Sequence, residues 1–169
     1  MNKQQLIKNN IKNLNNLSKI MGSKSYCDDE NIIMSLDRET FTENPIKNFN
    51  ISYIGYKDDI DTWIRISSDS FSQYINYETI HNISKNINID FILVFKDNIA
   101  VGSALIYTDN DVVSIHFITN LSAYQSQEIT QHIIQEVVAF AKREEIKYIT
   151  LSSPVISIDF YRKLGFVNS

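Results

Sequence analysis

The sequence predicts a mixed α/β domain on a single sheet, an antiparallel meander joined to one parallel βαβ crossover. Three observations carry this. Apolar, β-branched runs at Phe91 to Phe95, Ala100 to Tyr107 and Val112 to Thr119 are separated only by Lys96-Asp97-Asn98 and Asp109-Asn110-Asp111, and turns that short join antiparallel neighbours. The third run passes directly into a helical pattern in which Ile129, Ile133 (or Ile134) and Val137 recur at three to four residues. The run Tyr148 to Ser152 then returns as a strand, which makes the connection a parallel crossover.

The remaining elements follow in order. Residues 3 to 21 place Ile7, Ile11, Leu14, Leu17 and Met21 on one helical stripe, and Gly22 is a C-terminal stop. Ile32 to Leu36 is a short strand, and Thr40 to Asn48, around Pro45, a connector. Phe49, Ile51 and Tyr53 alternate as in a strand. Asp58 offers an N-cap to a helix with Ile60, Trp63, Ile64, Ser67 and Phe71 inward. A weaker helix covers Tyr77 to Asn86 with Ile80, Ile83 and Ile87 inward. The long helix runs from about Tyr124 to Glu144, and a last one from Ser157 to Leu164 stops at Gly165-Phe166.

Composition narrows the function. The 169 residues suffice for one full core, and 43% hydrophobic with 21% charged residues is ordinary for a globular protein. A net charge of -4 without a long Lys/Arg run argues against nucleic acid as a partner. Cys27 stands alone, so no intrachain disulfide forms and a reducing compartment is expected. The polar N-terminus lacks the apolar core of a secretory signal, and no apolar run reaches the ~18 residues of a membrane span. The expectation is a cytoplasmic protein with no membrane partner. His81, His116 and His132 are not spaced with Cys or carboxylates as a metal set, so no metal is expected. Ser152-Ser153 lacks the glycine elbow of a serine nucleophile, and Trp63 is most simply core.

The chemically informative stretch is Val112 to Ile134. A strand that feeds a helix through a short hinge, here Thr119 to Ser122, aims the helix's unpaired N–H groups past the strand end, a seat for phosphate. Together with this seat, the element order and the closing Phe160-Tyr161-Arg162-Lys163-Leu164-Gly165-Phe166 resemble the GNAT superfamily of acyl-CoA N-acyltransferases over roughly Phe49 to Phe166. Residues 1-48 are then an N-terminal helix-strand extension, and 49-169 the GNAT-like domain.

The resemblance implies acetyl-CoA as acyl donor and a primary amine of a small molecule or protein as acceptor. In the family, a Q/R-x-x-G-x-G/A loop holds the coenzyme A pyrophosphate; here the aligned residues are Gln125-Ser126-Gln127-Glu128-Ile129-Thr130. The resemblance places main chain near Ile118 and Asn120 against the acyl carbonyl and pantetheine, and Ser153 near the coenzyme channel. It makes Tyr161 the general acid for the leaving thiolate. The family's carboxylate base aligns with Ser114, which cannot serve. His116, two residues on, is the best local substitute, with a water relay or an already neutral amine as the other route.

Two departures matter. Thr130 replaces the last small residue, and Glu128 the central glycine, placing an anion beside the expected phosphates. The same residues also admit a capping reading: Ser122-x-x-Gln125 has capping-box spacing, and Glu128 favours the positive helix end. On that reading the protein is a catalytically silent binding or regulatory module. Family members continue past the Gly-Phe pair with two more strands, whereas Val167-Asn168-Ser169 is all that follows here. Ile32 to Leu36 is therefore expected to cover the Tyr148 to Ser152 edge, from the same chain or a partner, and an edge needing cover favours a homodimer.

Overall fold

The computed structural model describes residues 2–20, 31–43, 49–54, 59–71, 75–124 and 127–169, without the side chains of 14–20, 51–54, 71 and 122. Met21, Gly22, Cys27, Pro45, Asp58, Gln125 and Ser126 lie outside the described residues, as do the side chains of Leu14, Leu17, Ile51, Tyr53 and Phe71.

The described elements are α1 (Lys3–Ile20), β1 (Asn31–Asp37), β2 (Asn50–Ile54), α2 (Ile60–Phe71), α3 (Tyr77–Ile83), β3 (Ile89–Lys96), β4 (Ile99–Asp109), β5 (Val112–Asn120), α4 (Gln127–Arg143), β6 (Tyr148–Pro154), α5 (Ile158–Lys163) and β7 (Val167–Asn168). Hydrogen-bonded strand order is β2-β3-β4-β5-β6-β1-β7, a mixed sheet. The meander turns are as tight as the sequence implies. Asp97 and Asn98 sit at φ 50° and 64°, and Asn110 at 51°, the left-handed region that Asn and Asp tolerate in two-residue hairpins.

The chain forms two compact units. One comprises 44–106 and 116–136. Here β2 runs antiparallel to β3 from Asn50↔Phe95 to Ile54↔Phe91. Helix α2 buries Ile60, Trp63, Ile66 and Ser67, with Ile64 only half-buried. Trp63 meets Phe91 edge-on at 4.9 Å between centroids, and its indole N–H donates to the Ala104 carbonyl at 2.8 Å. Asn76 caps α3 by accepting from the Thr79 N–H at 2.8 Å. Ile80 and Ile83 are buried, but Ile87 is 94% exposed. The chain leaves the helix after Ile83 and turns through Ser84 and Lys85, so the helical period never reaches Ile87.

The other unit comprises 1–43, 107–115 and 137–169. The parallel crossover pairs β5 with β6 from Val112↔Tyr148 to Ile115↔Leu151. Strand β1 covers the opposite edge of β6 along its whole length, antiparallel from Asn31↔Pro154 to Asp37↔Tyr148. The replacement strand therefore comes from the same chain. A two-residue strand that the sequence reading did not anticipate, β7, adds outside β1 through Met34↔Asn168 and Ser35↔Val167.

Two further contacts tie the N-terminal segment down. Leu6 and Ile7 of α1 pack with Val112 and Tyr148, joined by Ile11 and Ile33. Just past β1, the Arg38 guanidinium donates to the carbonyls of Ala141 and Ile146, each at 3.1 Å. These lie at the C-terminal end of α4, where helix carbonyls run out of intrahelical donors and a cation is favoured.

Candidate active site

The candidate site is built first on the end of β5. Val112 to His116 are all buried, with His116 5% exposed, and Ser114 donates its hydroxyl to the Tyr107 carbonyl at 3.2 Å. At Phe117 the backbone turns left-handed, φ 51°, rare for a bulky residue and held only where surroundings enforce it. Its ring meets Trp63 edge-on at 5.7 Å. Past this bend the unbroken burial of Val112 to His116 ends: Ile118 and Asn120 are half-buried, and Thr119 is buried. The parallel pairing to β6 spans only Val112 to Ile115, so the bent segment is the part of β5 beyond that register.

The strand end and the helix head both close on Gly102 of β4. A Cβ built on Gly102 of β4 would stand 2.7 Å from Ile129 Cγ2 and 2.9 Å from the Thr119 carbonyl oxygen. Only a glycine permits so close an approach. A 3-10 turn at Ser122–Tyr124 separates β5 from α4, and the Leu121 N–H is tied to the Val101 carbonyl at 2.9 Å. Helix α4 begins at Gln127, a little later than Tyr124 as read from sequence. In its first turn Gln127 and Glu128 are exposed, Thr130 is half-buried and Ile129 is buried at 1% exposure.

The other unit carries the closing signature on α5. Tyr161 is 9% exposed, and its ring meets Phe160 at 5.1 Å and Phe166 at 5.9 Å. The helix closes with Phe166 N–H on the Tyr161 carbonyl at 3.1 Å, Gly165 N–H on the Arg162 carbonyl at 3.0 Å, and Gly165 at φ 95°. That is a Schellman motif with its hydrophobic clasp, and it explains why the closing signature needs Gly followed by an aromatic. Burial pushes the Tyr161 phenol up to about 12, so it keeps its proton at neutral pH.

Residues 56–166 match the sequence profile of the acetyltransferase (GNAT) family. The chain belongs to that family. No curated protein matches this GNAT chain in sequence. Among solved structures it is similar to a GCN5-related N-acetyltransferase from Sphaerobacter thermophilus, at TM-score 0.70 and 13% identity, over 82% of this chain and 48% of that one. It is also similar to a predicted acetyltransferase with acetyl-CoA from Clostridium acetobutylicum (TM-score 0.58, 17% identity, 72% of this chain and 91% of that one). A third is an aminoglycoside acetyltransferase from an uncultured soil metagenomic sample (TM-score 0.59, 16% identity, 69% and 86%). At these identities the likeness is one of fold. The chain spans about half the length of the Sphaerobacter protein.

Within this GNAT fold the sequence-predicted residues fall into both units. His116, Ile118, Asn120, Gln127, Glu128, Ile129 and Thr130 belong to one, Ser153 and Tyr161 to the other. Ser153 is fully buried and donates its hydroxyl to the Pro154 carbonyl at 3.0 Å. Among the described residues no group of three or more His, Cys, Asp or Glu is placed to hold a metal, and no helix is long and apolar enough to cross a membrane. Sequence reasoning missed Gly102. A glycine inside a strand run, in a chain with only 4 glycines, was the available signal.

Burial holds His116 far below the usual imidazole range, at about 3. His132, also buried, is lowered mainly by desolvation, with Glu136 opposing. In both cases the folded pKa lies below the unfolded one. The unfolded chain therefore binds more protons once pH falls below about 6.5, and stability drops as pH falls further, down to about 3 for His116. Urea unfolding at pH 7.5 and pH 5 is expected to show a loss of roughly 1–2 kcal/mol from His116 alone. A His116→Leu chain should show a flatter dependence on pH over that range. An unchanged slope would mean His116 is not held neutral by burial.

Proposed function

We propose that the protein is an N-acetyltransferase that takes its acyl group from acetyl-CoA and transfers it to a primary amine of a small molecule or protein. One observation carries this most: the end of β5, bent at Phe117, and the head of α4 both close on Gly102 of β4, where no larger residue fits without a shift. Amides in the first turn of an α-helix have no carbonyl within the helix to reach. With the helix dipole they make an anion seat, and here that turn is Gln127-Glu128-Ile129-Thr130, preceded by Gln125 and Ser126. The proposal assigns the coenzyme pyrophosphate to this loop. Main chain near Ile118 and Asn120 takes the pantetheine and acyl group.

Glu128 is the test of fit. Glu128 is exposed to solvent, so its charge is screened more as in water than as in a protein interior. Two unit charges ~4 Å apart repel by about 1 kcal/mol in bulk water, against about 4 kcal/mol at an effective dielectric near 20. The water-like figure corresponds to about five-fold in Kd, which a seat of several amides tolerates.

Chemically, the amine nitrogen attacks the thioester carbonyl, the carbon–sulfur bond breaks, and Tyr161 donates its phenolic proton to the leaving sulfur. The amide product then loses its extra nitrogen proton. An amine that arrives neutral needs no base before it attacks. With His116 held at about 3, a water relay is the stronger route for the extra nitrogen proton and His116 the weaker; the proton passes to solvent, from which the Tyr161 phenolate is reprotonated. A GNAT-family protein and a buried, protonated phenol in the closing signature both support the assignment.

The second reading, a silent GNAT-fold binding module, is favoured by Glu128 standing where the family carries glycine. A thiol-release assay with acetyl-CoA and a panel of amines separates the two. The enzyme reading expects release that depends on at least one amine, and an acetyl-CoA Kd about five-fold tighter in Glu128→Gly. Absence of amine-dependent release across the panel supports the silent module.

A further inference from the structure

We propose that Ser67 and Ser70 of α2 are positioning residues that hold the bent end of β5 in the geometry its peptide groups need to receive the pantetheine arm. The inference rests on the acetyl-CoA reading above. It adds a part of the molecule that neither the loop nor the closing signature contains.

The two serines are three residues apart on α2, hence on one helix face. The Ser67 hydroxyl is 2.8 Å from the Ser103 hydroxyl of β4, which in turn bonds to the Thr119 hydroxyl of β5. All three are buried, at 0%, 0% and 5% exposure. Alongside this chain, the Ser70 hydroxyl donates to the Asn120 carbonyl at 3.0 Å. One helix thus grips two consecutive residues of β5, one through side chains and one through the backbone.

The position of that grip is informative. Thr119 and Asn120 follow the left-handed Phe117 by two and three residues and precede the turn into α4. A left-handed bulky residue costs on the order of 1–3 kcal/mol and persists only when its surroundings over-determine it. On one side Gly102 of β4 faces the Thr119 carbonyl so closely that a Cβ there would stand 2.9 Å from its oxygen, and the α2 hydroxyls hold the segment from the helix. Buried hydroxyls are a poor choice for a purely structural contact. An apolar pair of the same shape is nearly neutral or better, whereas a fully satisfied polar chain specifies one geometry. Ser70 takes one of the two lone pairs of the Asn120 carbonyl and so fixes the orientation of that peptide.

The decisive variant is Ser70→Ala. Alanine is the better helix former, so α2 is preserved. Two readouts are taken on the full chain: amide hydrogen exchange across Ile118 to Leu121 without ligand, and the acetyl-CoA Kd by calorimetry. Faster exchange in that segment is expected, with a Kd raised about five-fold and an unchanged KM for the amine. Ser70→Thr, which keeps the hydroxyl, should restore both. Thr119→Val, which loses the hydroxyl at the far end of the chain, should weaken acetyl-CoA similarly and decides the matter if Ser70→Ala is unstable. Unchanged exchange and Kd in Ser70→Ala, or no rescue by Ser70→Thr, would overturn the proposal. If the wild type itself binds no acetyl-CoA while exchange still responds to Ser70, the clamp is real but the cofactor reading fails, and the pantetheine role falls with it.

Discussion

Replacing Tyr161 with phenylalanine is expected to lower kcat by ~10²-fold or more, within the range that a positioned proton donor contributes, while leaving the acetyl-CoA KM nearly unchanged. The substitution removes one oxygen. The ring contacts to Phe160 and Phe166 remain, as do the backbone bonds from Gly165 and Phe166 that close α5. Fold and cofactor affinity should therefore survive, and the loss should appear in the chemical step. A phenol at about 12 is a weak acid beside an ordinary thiol. The apolar surroundings that raise the phenol would also penalise a thiolate formed beside it, which brings the two proton affinities closer. The same value fixes a sign for pH dependence: the phenol is protonated until pH approaches about 12, so no alkaline loss of activity between pH 7 and 10 should come from Tyr161. Steady-state kinetics of the two chains check this, and an undiminished kcat in Tyr161→Phe would remove the residue from the mechanism.

The second large effect is on stability. Ser35→Pro in β1 should cost about 3 kcal/mol or more, out of the 5–15 kcal/mol typical of a domain. Ser35 is fully buried and stands opposite Thr150 of β6 on one side and Val167 of β7 on the other. Whichever way its N–H points, a neighbouring strand is there to lose it. Losing β1 would also bare one side of β6 along Tyr148 to Pro154, an open edge that invites association. Urea denaturation should show a much lower midpoint, and sedimentation should show oligomers. A variant with the wild-type midpoint would mean that β1 is a dispensable cover rather than part of the sheet.

Legibility in the sequence followed locality. The meander was readable because Asp97-Asn98 and Asn110 are residues that accept left-handed backbone, and the structure puts them there. The closing signature was readable because a Schellman cap demands glycine at one position, and Gly165 takes it at φ 95°. Strand β1 was inferred from what the sheet would otherwise lack, and β6 accepts it from the same chain. Features set by tertiary contact were not readable. Ile87 fits the helical period of α3, yet the helix ends first. Val167–Asn168 is too short to announce itself as a strand, and exists only because β1 offers an edge. Ser67 looked like one more inward position on α2; that its hydroxyl leads through Ser103 to Thr119 depends on three elements meeting. The bend at Phe117 leaves no mark in composition at all.

The claim on which the rest depends is that the head of α4 and the bent end of β5 receive acetyl-CoA. Calorimetric titration of the full chain with acetyl-CoA tests it most directly. Saturable binding at one site per chain, with Kd on the order of micromolar, is the predicted result. No heat of binding up to millimolar acetyl-CoA would contradict it.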